Sequence, residues 1–137
     1  MPERDALEPH IWADDLAAAR RFYEEALGFT VAQSFPPDAP TWFQLARGTT
    51  RLMLATMPEK TDGPLEYLAR VRERRGGGAV SLYLHVDDAE AEHERAVAAG
   101  AEVLEPLWGP WWGGRQFTVA DPDGNWWTVY EAGAPSG

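Results

Sequence analysis

Three histidines, a glutamate near the N-terminus and seven tryptophans are the side chains through which this 137-residue chain could do chemistry. Glu8 and His10 lie two positions apart, and His85 belongs to a later alternating run. His93 sits among Glu90, Glu92 and Glu94 in a helical pattern and reads as solvated. An imidazole, with an unperturbed pKa of about 6.5, can act as a general base or as a metal ligand. His10, His85 and Glu8 could therefore assemble a metal site or supply a base. The plainer reading is that both histidines are hydrogen-bonded cavity residues. No nucleophile elbow, phosphate loop or Walker-type motif competes.

Bulk composition bounds the classes. With no cysteine, 45% hydrophobic and 12% aromatic residues, the chain fits one compact soluble domain whose core needs no disulfide or structural metal. No run approaches the roughly 18 apolar residues of a membrane span. The opening Met1-Pro2-Glu3-Arg4-Asp5 lacks a signal-peptide core, so a cytoplasmic location and no membrane partner are expected. Twelve basic against 22 acidic residues give a net charge of −10, which repels nucleic acid and could steer a cationic ligand. Acidity for solubility alone is the simpler explanation.

The elements that must position these residues are best read from Trp111 to Glu131. There Arg115 to Ala120 and Trp126 to Glu131 alternate around Asp121-Pro122-Asp123-Gly124-Asn125, a hairpin signal because glycine tolerates positive φ. Upstream, Leu7 to Ala13 reads as a strand, Asp14-Asp15 as a cap, and Leu16 to Leu27 as a helix stopped by Gly28. Phe29 to Ser34, Thr41 to Ala46 and Thr50 to Thr56 read as strands. Residues of about 58–78, punctuated by Gly63, Pro64 and Gly76-Gly77-Gly78, read as a linker with one short basic helix, Leu65 to Arg74. The pattern then returns as strand Ala79 to Val86, cap Asp87-Asp88, helix Ala89 to Ala99, Gly100, strand Ala101 to Leu104 and the hairpin. Asp14 and Asp87 lie 73 positions apart, and Gly28 and Gly100 lie 72 apart. That near-constant offset marks an internal repeat. The expectation is an α+β domain of two tandem βαβββ modules, about 5–57 and about 79–132, forming a cupped mixed sheet with helices on its convex face.

Alternation splits the strands into two faces. Ile11, Ala13, Leu52, Leu54, Leu82, Leu84, Trp127 and Val129 fall on an aliphatic side suited to packing under the helices. Glu8, His10, Trp12, Met53, Ser81, Tyr83, His85, Trp126, Thr128 and Tyr130 fall on the other. Exposed indole and phenol rings leave apolar area in water at a cost of roughly 25 cal/mol per Å², so something should cover them. A small molecule in a cup, the other half of the chain and a second subunit are the candidates. Trp42, Trp108, Trp111 and Trp112 near loops favour the first.

Asp14-Asp15-Leu16 with Phe22-Tyr23 and Leu27-Gly28-Phe29, Val86-Asp87-Asp88 with Ala98-Ala99-Gly100-Ala101, and Asp121-Pro122-Asp123-Gly124-Asn125 together resemble the vicinal-oxygen-chelate superfamily of glyoxalases, bleomycin-resistance proteins and extradiol dioxygenases. The resemblance covers nearly the whole chain outside 57–78. It implies two modules forming a cupped sheet, usually completed by homodimerisation. Catalytic members chelate a divalent metal with four cup-facing residues, and the matching positions here are Glu8, Met53, Ser81 and Thr128. Met, Ser and Thr supply neither charge nor basicity, so no metal and no cofactor are expected.

What remains is similar to the bleomycin-resistance type, which shares Trp112-Gly113-Gly114 before the last hairpin, Leu52-Met53-Leu54 and acidic charge. That likeness implies sequestration of a planar, often cationic natural product between aromatic walls. The expected ligand-binding residues are Trp12, Trp42, Tyr83, Trp112, Trp126 and Tyr130 as walls, Met53 as floor, and His10, Gln44 and His85 as hydrogen-bonding groups, with no catalytic residue assigned. Ordinary strand packing is the plainer role for Trp126 and Tyr130. The competing expectation is an enzyme: a divergent glyoxalase-like lyase or isomerase, a dioxygenase-type enzyme, or a metal-free catalyst using His10 or His85 as base.

Overall fold

The computed structural model describes residues 6–56, 73 and 80–133. The expected linker and its short basic helix lie outside the described residues apart from Glu73. The chain order is β1 (His10–Ala13), α1 (Leu16–Arg21) running into a π-helical turn (Phe22–Ala26), β2 (Thr30–Phe35), β3 (Trp42–Arg47) and β4 (Thr50–Thr56). It continues with β5 (Ser81–His85), α2 (Ala89–Ala98), β6 (Glu102–Trp108), β7 (Arg115–Ala120) and β8 (Trp126–Glu131). These form two four-stranded mixed sheets, ordered β1-β4-β3-β2 and β5-β8-β7-β6. In each, the first strand pairs in parallel with the last and the other pairs are antiparallel. This is the α+β pair of βαβββ modules expected from the repeat.

Both helices start where the acidic pairs stand. The carboxylate of Asp15 accepts from the amide of Ala18, and that of Asp88 from the amide of Ala91, each satisfying a helix-end N–H. Gly28 and Gly100 follow the helices at φ of 72° and 80°. At Gly28 it is the positive φ that calls for glycine, since the nearest atom to an added Cβ is the movable end of the Arg95 side chain.

Several boundaries differ from the sequence reading. The first helix is not α-helical throughout: past Arg21 it widens, the wider turn places Tyr23 and Ala26 in the core, and Leu27 caps it there. The strand before it begins at His10 rather than Leu7, although the amide of Met53 still bonds the carbonyl of Pro9. The strand expected to stop at Leu104 runs on to Trp108, because β6 lies at a sheet edge where Pro106 is tolerated.

Bulges recur with the repeat. On β2, Val31 opposes Leu45 but Gln33 opposes Gln44, and on β6, Val103 opposes Val119 but Glu105 opposes Thr118. One extra residue on the edge strand turns the next side chain over to the other face. Without the bulge, Glu105 would oppose Phe117 and point into the core. The bulge instead delivers it to the face away from the helices.

One core serves both modules. Ile11, Phe43, Leu45, Leu52 and Leu54 from the first pack in a single cluster with Leu84, Phe117, Val119, Trp127 and Val129 from the second. His93 is not simply solvated: it is partly buried, with its ring edge-on to Phe117 at 5.1 Å. Arg47 locks the helices together, donating to the carbonyl of Leu27 at 2.7 Å and to both carboxylate oxygens of Glu92 at 3.0 and 2.9 Å. Deeper in, the hydroxyl of fully buried Tyr23 donates to Asp121 and accepts from the indole N–H of Trp127 at 3.0 Å. Burial and the adjacent Asp121 carboxylate hold the Tyr23 hydroxyl well above its usual pKa, so it stays a donor. Among the described residues, no helix is long and apolar enough to cross a membrane. Tyr23→Phe strands the Trp127 N–H and one Asp121 contact in the core, and a loss of about 1–3 kcal/mol is expected in urea unfolding.

Candidate functional site

Phe43, Leu45, Leu52, Leu54, Phe117, Val119, Trp127 and Val129 point into the core, so their alternating neighbours share the opposite face. Strand register sorts those neighbours into rows. In the first module, His10, Met53, Gln44 and Gln33 form one row, and Trp12, Ala55, Trp42 and Phe35 form the next. In the second, Tyr83, Thr128, Thr118 and Glu105 form one row, and His85, Tyr130, Gln116 and Trp108 the next.

The small side chain of Ala55 between Trp12 and Trp42 has a physical consequence. Strands lie about 4.8 Å apart, so residues two strands away stand about 10 Å apart. Two successive ring contacts span about 9–14 Å. In register, then, Trp12 and Trp42 stand two strands apart on one face with only the methyl group of Ala55 on the strand between them. His10 lies edge-on to Trp12 at 4.6 Å, and Gln44 donates to Glu8 at 2.9 Å.

Rings also gather on the second module. His85 and Tyr83 lie 5.6 and 6.2 Å from Tyr130, whose hydroxyl donates to the carbonyl of Gly113 at 3.3 Å. Tyr83 is 52% exposed, and Trp126, which pairs with Ser81 on the same face, is exposed as well. The loop before β7 adds Trp111 and Trp112, whose centroids are 5.5 Å apart, with Trp108 at 6.1 Å from Trp112. Trp111 is 80% exposed. This loop depends on Gly114: at φ 77° a Cβ there would lie 2.1 Å from the carbonyl oxygen of Glu131. Glu131 is itself fixed, accepting from the amide of Ala89 and from Arg115, both at 3.0 Å. These contacts, the Ala89 amide foremost, hold its carboxyl below the usual 4.5.

Of the polar groups of the second module, Ser81 and Thr128 were legible in the sequence, whereas Glu105, Gln116 and Thr118 were not. Glu105 accepts from Gln116 Nε2 at 2.9 Å and from Thr118 Oγ1 at 3.0 Å, Thr118 meets Thr128 at 2.8 Å, and Thr128 meets Ser81 at 3.3 Å. Gln116, Thr118 and Thr128 are buried. Alternation on β7 hinted at Gln116 and Thr118, but Glu105 reaches them only through the bulge.

A family model for the Glyoxalase/Bleomycin resistance protein/Dioxygenase superfamily matches residues 6–129. The chain belongs to that superfamily. An uncharacterized protein of Mycobacterium tuberculosis is 33% identical over 127 residues, covering 90% of this chain and 72% of the relative. A Mycobacterium bovis counterpart has the same identity, with 81% of its length covered. Among solved structures, TioX from Micromonospora sp. ML1 superposes with a TM-score of 0.71 at 21% identity, covering 93% of this chain and 98% of that one. UcmS2 superposes at 0.73 and 24%, with the same coverages. A glyoxalase/bleomycin resistance protein/dioxygenase family enzyme from Burkholderia phytofirmans PsJN gives 0.73 and 22%, over 91% and 96% of the two chains. Likenesses at these identities speak to fold.

In this superfamily member the chelate positions do not fit a divalent ion. Thr128 is hydrogen-bonded to Thr118 and Ser81, Glu8 is bonded to Gln44, and Met53 offers only a thioether. The displaced alternative of His10, His85 and Glu8 is not assembled either, since no group of three His, Asp or Glu residues converges among the described residues. His10 pairs with the strand of the first module and His85 with that of the second.

The fold lowers the proton affinity of His10. Loss of hydration lowers its pKa below the usual 6.5, against a smaller opposing effect of a backbone hydrogen bond. The folded chain therefore binds this proton less tightly than the unfolded chain. His10 costs no stability above pH 6.5 and lowers stability as the pH falls below it. In an NMR titration, the His10 ring should show a midpoint below 6.5. Gly114→Ala, which combines positive φ with a backbone clash, should cost more than about 1 kcal/mol in urea unfolding.

Proposed function

We propose that this protein is a metal-independent binder that sequesters a planar aromatic small molecule, in the manner of an antibiotic-resistance or self-protection protein. The observation that carries the reading is the Trp12–Ala55–Trp42 row. Its register sets two tryptophans two strands apart with an alanine between, a backbone spacing of about 10 Å that suits a single intercalated ring, and each ring contact would add about 0.5–1.5 kcal/mol beyond burial. Exposed Tyr83 and Trp126 support the same reading, because a face meant only for water would carry fewer rings. Met53 lies beside the slot as an adaptable floor, with His10 and Gln44 as polar neighbours in its row. One carboxylate among the four chelate positions supports a role that asks for no metal. We place the protein in the cytoplasm as a homodimer, the second copy covering exposed apolar side chains such as Phe35 and Val80.

A second reading has one observation in its favour. A histidine with lowered pKa is neutral near pH 7 and can accept a proton, so His10 could serve as the general base of a divergent enzyme on the same face.

Titrating intrinsic Trp fluorescence with a panel of planar aromatic antibiotics, and analysing the recovered drug by mass spectrometry, separates the two readings. Saturable quenching with intact drug is expected, and Trp12→Ala and Trp42→Ala should each weaken binding by about tenfold or more. Chemically altered drug would support the enzyme, and no quenching across the panel would overturn the binder.

A further inference from the structure

The second module presents hydrogen-bond acceptors, and the reason lies in the chain of groups ending at Glu105. A carboxylate can only accept, and its Oε1 takes both Gln116 Nε2 and Thr118 Oγ1. Thr118 has a single hydroxyl hydrogen and gives it to Glu105, so toward Thr128 it must accept. Thr128 has then spent its own hydrogen on Thr118 and must accept from Ser81. Every hydroxyl in this hydrogen-bonded chain is turned toward Glu105, and Ser81, exposed at its far end, is left with acceptor lone pairs.

Gln116 completes the pattern. Turning its amide over would set Oε1 against a carboxylate oxygen, so Nε2 stays on Glu105 and Oε1 faces away. Gln116 is 4% exposed, and its Oε1 has no hydrogen-bond partner among the described residues. A buried carbonyl without a donor is costly, and such groups persist where a ligand or an ion completes them. Gln116 lies in register between Tyr130 and Trp108, directly under the ring-bearing face, and the Trp108 indole is exposed and touches Trp112 edge-on. Register sets Trp108 beside Gln116, so a guest packed on that indole would lie about one strand spacing from the amide.

We propose that Glu105 and Gln116 form a subsite for a cationic N–H donor, an ammonium or amidinium, carried by an aromatic ligand. The subsite rests on the aromatic-binding reading above and adds the chemical class of the guest. Gln116 Oε1 takes one N–H, and the Glu105 carboxylate beside it favours a positive charge over a neutral hydroxyl.

Three probes of similar shape test it by calorimetric titration: 2-(aminomethyl)naphthalene, 2-(hydroxymethyl)naphthalene and 2-ethylnaphthalene. The amine should bind about tenfold or more tightly than the ethyl compound, with the alcohol between. Gln116→Met, which removes the acceptor together with the Nε2 bond to Glu105, should abolish the preference for the amine while the ethyl compound still binds. A glutamine with only a structural role would leave the preference among the probes intact. Glu105→Gln should bring the amine down to the level of the alcohol. Equal affinities for all three probes, as a bound water satisfying Gln116 would give, overturn the subsite and leave the aromatic slot standing. Failure of every probe to bind overturns the slot reading and the subsite with it.

Discussion

A single buried carboxylate holds this fold together. One oxygen of Asp121 accepts the amides of Asp123 and Asn125, and the other accepts the hydroxyl of Tyr23 and the side-chain amide of Asn125. Burying a charge is expensive unless its lone pairs are filled, and here four donors fill them. Two of those donors are backbone amides, so the last hairpin turn is wound around the carboxylate. Another comes from the first module, so the same group that shapes the turn also ties the halves. The amide of Asp14 donating to Asp123 repeats the tie at the entrance to the first helix.

That constraint explains why the two modules behave as one body. Tyr23, Phe29 and Trp127 pack edge to face around the polar knot, with centroids 5.7 to 6.0 Å apart. Aromatic edges supply the packing while the hydroxyl, indole N–H and carboxylate satisfy one another. The helices and the polar knot take one face of each sheet. The other face is released from that packing and carries rings and hydrogen-bonding groups instead.

The two halves have used that freedom differently. The repeat preserves the bulge on the edge strand, but in the first module the side chain delivered is Gln33 and in the second it is Glu105. The first module sets indoles on either side of an alanine. The second lines up hydroxyls and an amide behind a carboxylate. One duplicated unit thus carries aromatic side chains on this face in one half and a chain of hydrogen-bonded polar groups in the other.

Periodicity and turn chemistry suffice to read the two-module architecture from the amino acids alone. The acidic caps, the helix-ending glycines and the Asp-Gly turn act through local backbone geometry, and local geometry is written in neighbouring residues. The same holds for which residues share the ring-bearing face, since alternation along a strand is a local property. Tertiary structure decided the rest. No pattern in the chain shows that Asp121 reaches Tyr23, 98 positions earlier, that Trp12 and Trp42 flank Ala55, or that a bulge turns Glu105 toward Gln116. Those juxtapositions depend on strand order and register, which are set when distant segments pack together and which a one-residue slip would reverse.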